Sequence, residues 1–238
     1  MSVQRPFYPE GEVCHLYLLH PPGGVVAGDC LTIQTQADSG SHALVTTPAA
    51  GKFYRSEGGR AHQSICLNIA NGGVIEWLPQ ETIVYEGARL TSKTRLAIQT
   101  GARFIAWEMM VLGRPASNEA FNSGEVLSEW HITRDDEPIY LERLRLDPKA
   151  FSARWGLNGR STCGSLFAYP ANQKTLEAIR DLIGDKPERG VTCIDNLLIC
   201  RALDQRSDKL RDFFNEVWMI VRETTLGRKA CMPRIWTT

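Results

Sequence analysis

The stretch GSHALVTT, residues 40–47, sets a glycine turn directly ahead of a short apolar strand. The same order returns in GGVIEWLP (72–79) and in GARFIAWE (101–108). Counted from Gly40 to Gly73 to Gly101, the intervals are 33 and 28 residues. A turn-then-strand unit repeating at such intervals predicts stacked β coils, each burying the face of its neighbour. A β-sandwich also places glycine before strand, so the pattern leaves both architectures open.

Strand patterns extend on both sides of these units. EVCHLYLLH (12–20), CLTIQTQA (30–37), HALVTT (42–47), HQSICLNIA (62–70), VIEWLP (74–79), TRLAIQT (94–100) and FIAWEMMVLG (104–113) are short and apolar or alternating. Gly, Pro, Asn or Ser punctuates them. Residues 126–146 read as a hairpin turning at Asp135-Asp136-Glu137-Pro138. Helices come late. Residues 172–184 place Leu176, Ile179 and Ile183 on one face, with Asn172 as cap and Gly184 as stop. Residues 207–227 place Leu210, Phe213, Phe214, Val217, Trp218 and Val221 in one broad stripe, with Ser207 as cap and Gly227 as stop. That stripe either packs on the protein's own sheet or docks a partner.

Composition narrows the function. The chain has 238 residues, 43% hydrophobic and 23% charged, enough to bury a core without disulfide staples. Its 27 basic and 27 acidic residues cancel, which argues against nucleic acid as the main partner. GRKACMPR near the end is basic but short, and reads as a solvated tail. Seven cysteines without a CxxC pair do not form a disulfide framework. No signal peptide precedes Pro6, and no apolar run approaches the ~20 residues of a membrane span. The expected location is the cytoplasm, with no membrane partner.

Familiar catalytic patterns are missing. TPAAGKF (47–53) lacks the first glycine of a P-loop, and Phe53 follows Lys52 where Ser or Thr must hold magnesium. It reads as a turn before a strand. There is no G-x-S-x-G, and none of the five histidines forms H-x-H or H-E-x-x-H. Cys14 and His15 are strand neighbours and point to opposite faces.

Three acids carry the remaining signal. Asp29 ends the run HPPGGVVAGD (20–29), where it either points into an interior groove or closes a turn. Glu108 sits in FIAWEMMVLG between Trp107 and Met109. Glu142 sits in PIYLERLRL, where Arg143 and Arg145 would suit a solvent-facing strand. A carboxylate in an apolar strand must face solvent, pair with a cation or line a wet cavity, because an unpaired buried charge is costly. Hard oxygen ligands of this kind suit transient handling of a divalent metal.

The segments VQRPFYPE (3–10), CHLYLLHPPGGVVAGD (14–29), TTPAAGKFYRS (46–56), EWLPQETIVYEGA (76–88), AWEMMVLGRP (106–115) and PRIWTT (233–238) together resemble the UreD family of urease accessory proteins, also called UreH. The likeness runs in collinear order along almost the full chain. It implies a mainly β fold: β-helix-like stacked strands with two α-helices in the C-terminal third. The expected layout is one domain over 1–238, β-rich to about 165 and strands plus two helices beyond. It implies a non-enzymatic urease maturation factor that works with UreF, the GTPase UreG and the urease structural subunits. Its expected task is to help insert nickel into a dinickel centre. No tightly bound cofactor is implied; Ni2+ would pass transiently. The acids matching the family's passage-lining positions are Asp29, Glu108 and Glu142, with Glu108 standing where Asp is common. Family members also carry about a strand pair before VQRPFYPE, so an exposed sheet edge is expected here. Two other readings stay open. One is a β-helix-type carbohydrate-active enzyme using Asp29 and Glu142 as its carboxylate pair. The other is a structural subunit with no metal role.

Overall fold

The computed structural model describes residues 1–237; Thr238, the last residue of the PRIWTT ending, lies outside the described residues. After β1 (Ser2–Val3), the chain winds through four coils. The first holds β2 (Cys14–Leu19) and β3 (Cys30–Ala37). The second holds β4 (His42–Thr46), β5 (Gly51–Phe53) and β6 (Ala61–Ile69). The third holds β7 (Val74–Leu78), β8 (Thr82–Val84) and β9 (Arg89–Ile98). The fourth holds β10 (Arg103–Leu112) and β11 (Glu125–Arg134). Strands β2, β4, β7 and β10 stack in parallel, and so do β3, β6, β9 and β11. A short third face joins them, where Val25, Phe53, Val84 and Leu112 pair in turn. The stacked-coil expectation therefore holds over the sandwich.

The corner glycines set the register. Gly40, Gly72 and Gly101 all adopt positive φ, and each lies two residues before the first paired residue of the next strand. Those residues, His42, Val74 and Arg103, pair in one row. Gly72 rather than Gly73 thus holds the repeat position. Gly73 serves packing: a Cβ there would stand 3.0 Å from the carbonyl oxygens of Ala37, Asp38 and Ala70.

The coils then hand over to antiparallel structure. β12 (Glu137–Leu146) returns on β11 through a two-residue turn, with positive φ at Asp135 and Asp136. A five-residue helix α1 (Pro148–Ser152) is capped by Asp147, whose carboxylate accepts from the Ala150 amide. β13 (Thr162–Tyr169) pairs with β10. α2 (Gln173–Ile183) follows, with Asn172 capping the Thr175 amide and Gly184 closing it at positive φ, as expected. β14 (Arg189–Ile194) and β15 (Leu197–Asp204) extend the same sheet beyond β13. α3 (Ser207–Val221) runs into a π-type turn at Arg222–Leu226 and stops at Gly227. Ser207 is not its cap: Arg206 holds that position without a side-chain cap bond.

The apolar stripe of α3 packs on the protein's own first sheet. Ile105, Trp107 and Met109 of β10 join Leu210, Phe213, Phe214, Val217, Trp218 and Val221 in one cluster. Gly164 permits this approach, since a Cβ there would meet the Phe214 ring at 2.6 Å and the Glu108 carbonyl at 2.9 Å. The alternate residues of β10 point the other way. Phe104 and Ala106 enter one interior cluster between the two sheets, and Met110 and Leu112 enter another. Glu108 lies between these clusters. Among the described residues no helix is long and apolar enough to cross a membrane.

Candidate functional site

Where the two interior clusters part, the coils enclose a cavity of about 570 Å³. Three loops from successive coils line it: His20–Gly24, Thr47–Ala50 and Pro79–Gln80. Backbone bonds stack them. The Val25 amide donates to the Lys52 carbonyl (2.8 Å), and Gly51 donates to the Glu81 carbonyl (2.9 Å). The Gln80 amide donates to the Thr47 hydroxyl (2.9 Å). The prolines stiffen the loops, and Gly24 lets the first lie flat on the second. A Cβ on Gly24 would stand 2.9 Å from the Lys52 carbonyl and inside the Tyr54 ring. The Tyr54 hydroxyl donates to the Gly23 carbonyl (2.8 Å) across the same contact.

Glu108 reaches this cavity from β10. Its Oε2 accepts from the Ser128 hydroxyl (2.8 Å) and the Trp130 indole (3.2 Å), both on β11, and Ser92 of β9 adds a further hydrogen bond. The side chain is half-buried and lines the cavity. Burial pushes the Glu108 carboxyl above its usual range, and the charge of Glu142 adds to the rise; the bonds from Ser128 and Trp130 only partly oppose it. A neighbouring thiol feels the same environment: burial and the two carboxylates push Cys163 up to about 12.

Glu142 stands on β12 opposite Trp130, one strand beyond the residues that hold Glu108. It points inward, while Arg143 and Arg145 turn outward to Glu129 and Glu125. The Tyr140 hydroxyl donates to Glu142 (2.5 Å), and Arg201 of β15 pairs with it at 2.8 Å. Burial and this carboxylate push Tyr140 up to about 12. The pair bridges the two sheets, with the Arg201 end open to solvent.

Asp29 is placed apart. It is exposed, its Oδ2 accepts from the Val26 amide (3.1 Å), and its own amide donates back to the Val26 carbonyl (3.1 Å). Of the two readings of HPPGGVVAGD, the closed turn is the one observed. The carbohydrate-enzyme reading is corrected as well. Asp29 adjoins β3 and Glu142 lies on β12, at opposite ends of the five-stranded sheet. Four strand spacings put them roughly 19 Å apart, well beyond the ~5–9.5 Å that glycoside hydrolysis uses. Among the described residues no three His, Cys, Asp or Glu side chains converge as a metal cage.

Sequence reasoning missed a second polar cluster on the other face of the first sheet. Arg222, fully buried, donates through Nε to both oxygens of Glu76 (3.1 and 3.0 Å) and through Nη1 and Nη2 to Glu10 (2.8 Å each). Trp218 donates to Glu76 (2.7 Å), His42 bonds Glu76 (2.8 Å) and His15 bonds Glu10 (2.7 Å). Arg222 also holds the Lys229 carbonyl. Burial works to raise the Glu10 carboxyl, but the bonds from Arg222 and His15 outweigh it and leave it below its usual range. The rule that singled out Glu108, an acid inside an apolar strand, applies equally to Glu76 in VIEWLP.

The sequence profile described as UreD urease accessory protein matches residues 1–237. Three relatives bear the name Urease accessory protein UreD. That of Alcanivorax borkumensis is 43% identical over 242 residues, covering 100% of this chain and 82% of its own. That of Pseudomonas putida KT2440 is 44% identical over 239 residues, covering 100% and 85%. That of Dechloromonas aromatica is 40% identical over 249 residues, covering 100% and 86%. With the profile matched from end to end, this chain belongs to the UreD family of urease accessory proteins.

Proposed function

We propose that this protein is a non-enzymatic urease maturation factor that assists nickel insertion in concert with UreF, UreG and the urease structural subunits. Membership of a family of urease accessory proteins supports the maturation role. The observation that supports the metal role is Glu108, a lone acid in a cavity walled mostly by apolar side chains. A carboxyl raised by burial holds a cation loosely, because the ion competes with a proton and with the Ser128 and Trp130 donors. That suits a cargo that must leave again. Glu142, beside Tyr140 and Arg201, offers the next carboxylate toward solvent.

The test is reconstitution with UreF, UreG and urease apoprotein, reading nickel content and activity of the isolated urease. Glu108→Ala and Glu142→Ala are expected to lower nickel loading while leaving complex formation intact. A triple Asp29→Ala, Glu108→Ala, Glu142→Ala variant that activates urease as well as the unaltered chain would sink the metal role. The protein would then act as scaffold alone, and nickel titration of the isolated chain would show no binding.

A further inference from the structure

The cavity wall carries a second polar group besides Glu108. His20 follows β2, opens the run HPPGG and lines the same space. Its direction follows from its place in the chain. Side chains alternate along extended backbone, so His20 shares the side of Leu16 and Leu18, which pack into the interior between the sheets. Pro21 favours extended backbone at the residue before it. Both ring nitrogens of His20 are shielded from solvent, and neither has a hydrogen-bond partner among the described residues. His15 and His42, by contrast, each bond a glutamate through Nε2. A buried imidazole unbonded at both nitrogens is costly unless a mobile species in the cavity serves it. A space of about 570 Å³ has room for one.

We propose that His20 is a ligand for the divalent cargo and sets the cavity's preference among divalent ions. The proposal rests on the reading of this cavity as a nickel path. The Glu108 carboxylate is a hard oxygen donor, and such donors suit Mg2+ and Ca2+ as well as transition ions. Imidazole suits Ni2+, Cu2+ and Zn2+, whereas Mg2+ and Ca2+ favour oxygen. A path offering Glu108 alone would not tell nickel from magnesium; His20 supplies the missing discrimination. Among the described residues no three His, Cys, Asp or Glu side chains converge, so the hold stays loose enough for release. Lys52, the other charged residue of the lining, is exposed and can turn its ammonium to water.

Calorimetric titration of the full chain with Ni2+ and with Mg2+ tests this, on the unaltered protein, His20→Gln and Glu108→Ala. His20→Gln is expected to weaken Ni2+ binding by roughly tenfold or more while leaving Mg2+ binding and the circular dichroism spectrum unchanged. Glu108→Ala is expected to weaken both ions. X-ray absorption of the Ni2+-loaded unaltered chain gives a readout that needs no variant, with an imidazole nitrogen expected in the nickel shell. Nickel binding that depends on Glu108 but not on His20, or a nickel shell of oxygen alone, would overturn the inference and leave the nickel path standing. A chain that binds Ni2+ through neither residue would overturn both.

Discussion

Glu108 and Glu10 are both half-buried glutamates, yet their surroundings drive them in opposite directions, and the difference is measurable. The Glu108 carboxyl is raised, so the folded protein prefers its protonated form. Its contribution to stability is greatest at acid pH and declines as pH climbs from about 4.5, the usual value, through the folded value. Glu108→Gln should therefore be more stable than the parent at neutral pH, with the gap closing on acidification. The Glu10 carboxyl is lowered, so its stabilisation is present above about 4.5 and fades as pH falls through the folded value. Glu10→Gln should lose stability at neutral pH and converge with the parent in acid. Urea unfolding of both variants across a pH series checks the two signs. Equal responses would mean that local hydrogen bonding, not ionisation, sets the balance. Arg222 is the sharper case, because its removal leaves the buried Glu76 without its guanidinium, held only by the Trp218 indole and His42. Arg222→Met is expected to cost about 3–5 kcal/mol in the same assay.

At the scale of elements, α3 and its π-type turn act as the brace of the coil stack. The turn widens the helix where Arg222 must reach Glu76 on β7, Glu10 ahead of β2 and the Lys229 carbonyl together. Loss of Arg222 should accordingly loosen the tail, and limited proteolysis is expected to cut near residues 228–233 first. Trp236 holds the far end of that tail through its bond to Thr46 (2.9 Å) and its stacking on Trp107. Much of the element pattern was legible in the sequence because it depends on short-range chemistry. Gly40 and Gly101 marked the coil corners, Asn172 and Gly184 bounded α2, and the 3.6-residue stripe of α3 named its buried face. β5 and β8, three residues each, carry too little pattern to be read, and β13, β14 and β15 were expected only as unplaced strands beyond about residue 165, because antiparallel partners rather than their own residues fix them. Of the site, Glu108 was legible because an acid between Trp107 and Met109 contradicts its strand. The inward turn of Glu142 was not, since Arg143 and Arg145 supplied a sufficient local explanation and the true partner, Arg201, lies on another sheet. Arg222 was hidden for the same reason: both its carboxylates are distant in sequence.

Over the whole molecule, the coils form a one-dimensional stack continued by antiparallel strands. Stability in such a stack is shared between neighbours, so its centre should open last. β10 pairs on both sides and is covered by α3 on one face and by the second sheet on the other. Its amides are expected to exchange only through global unfolding, while β14, at the end of its sheet, exchanges soonest. Hydrogen exchange read by mass spectrometry would show the gradient, and uniform protection would contradict it. The walls of the cavity have one more consequence. Trp77, Trp107 and Trp130 all line it, so the space where cargo would travel is ringed by the protein's own fluorophores. An open-shell cation entering there would dim indole emission without any attached dye. The fold thus supplies an optical gauge of its own filling, readable in a stopped-flow cuvette as the metal arrives and leaves.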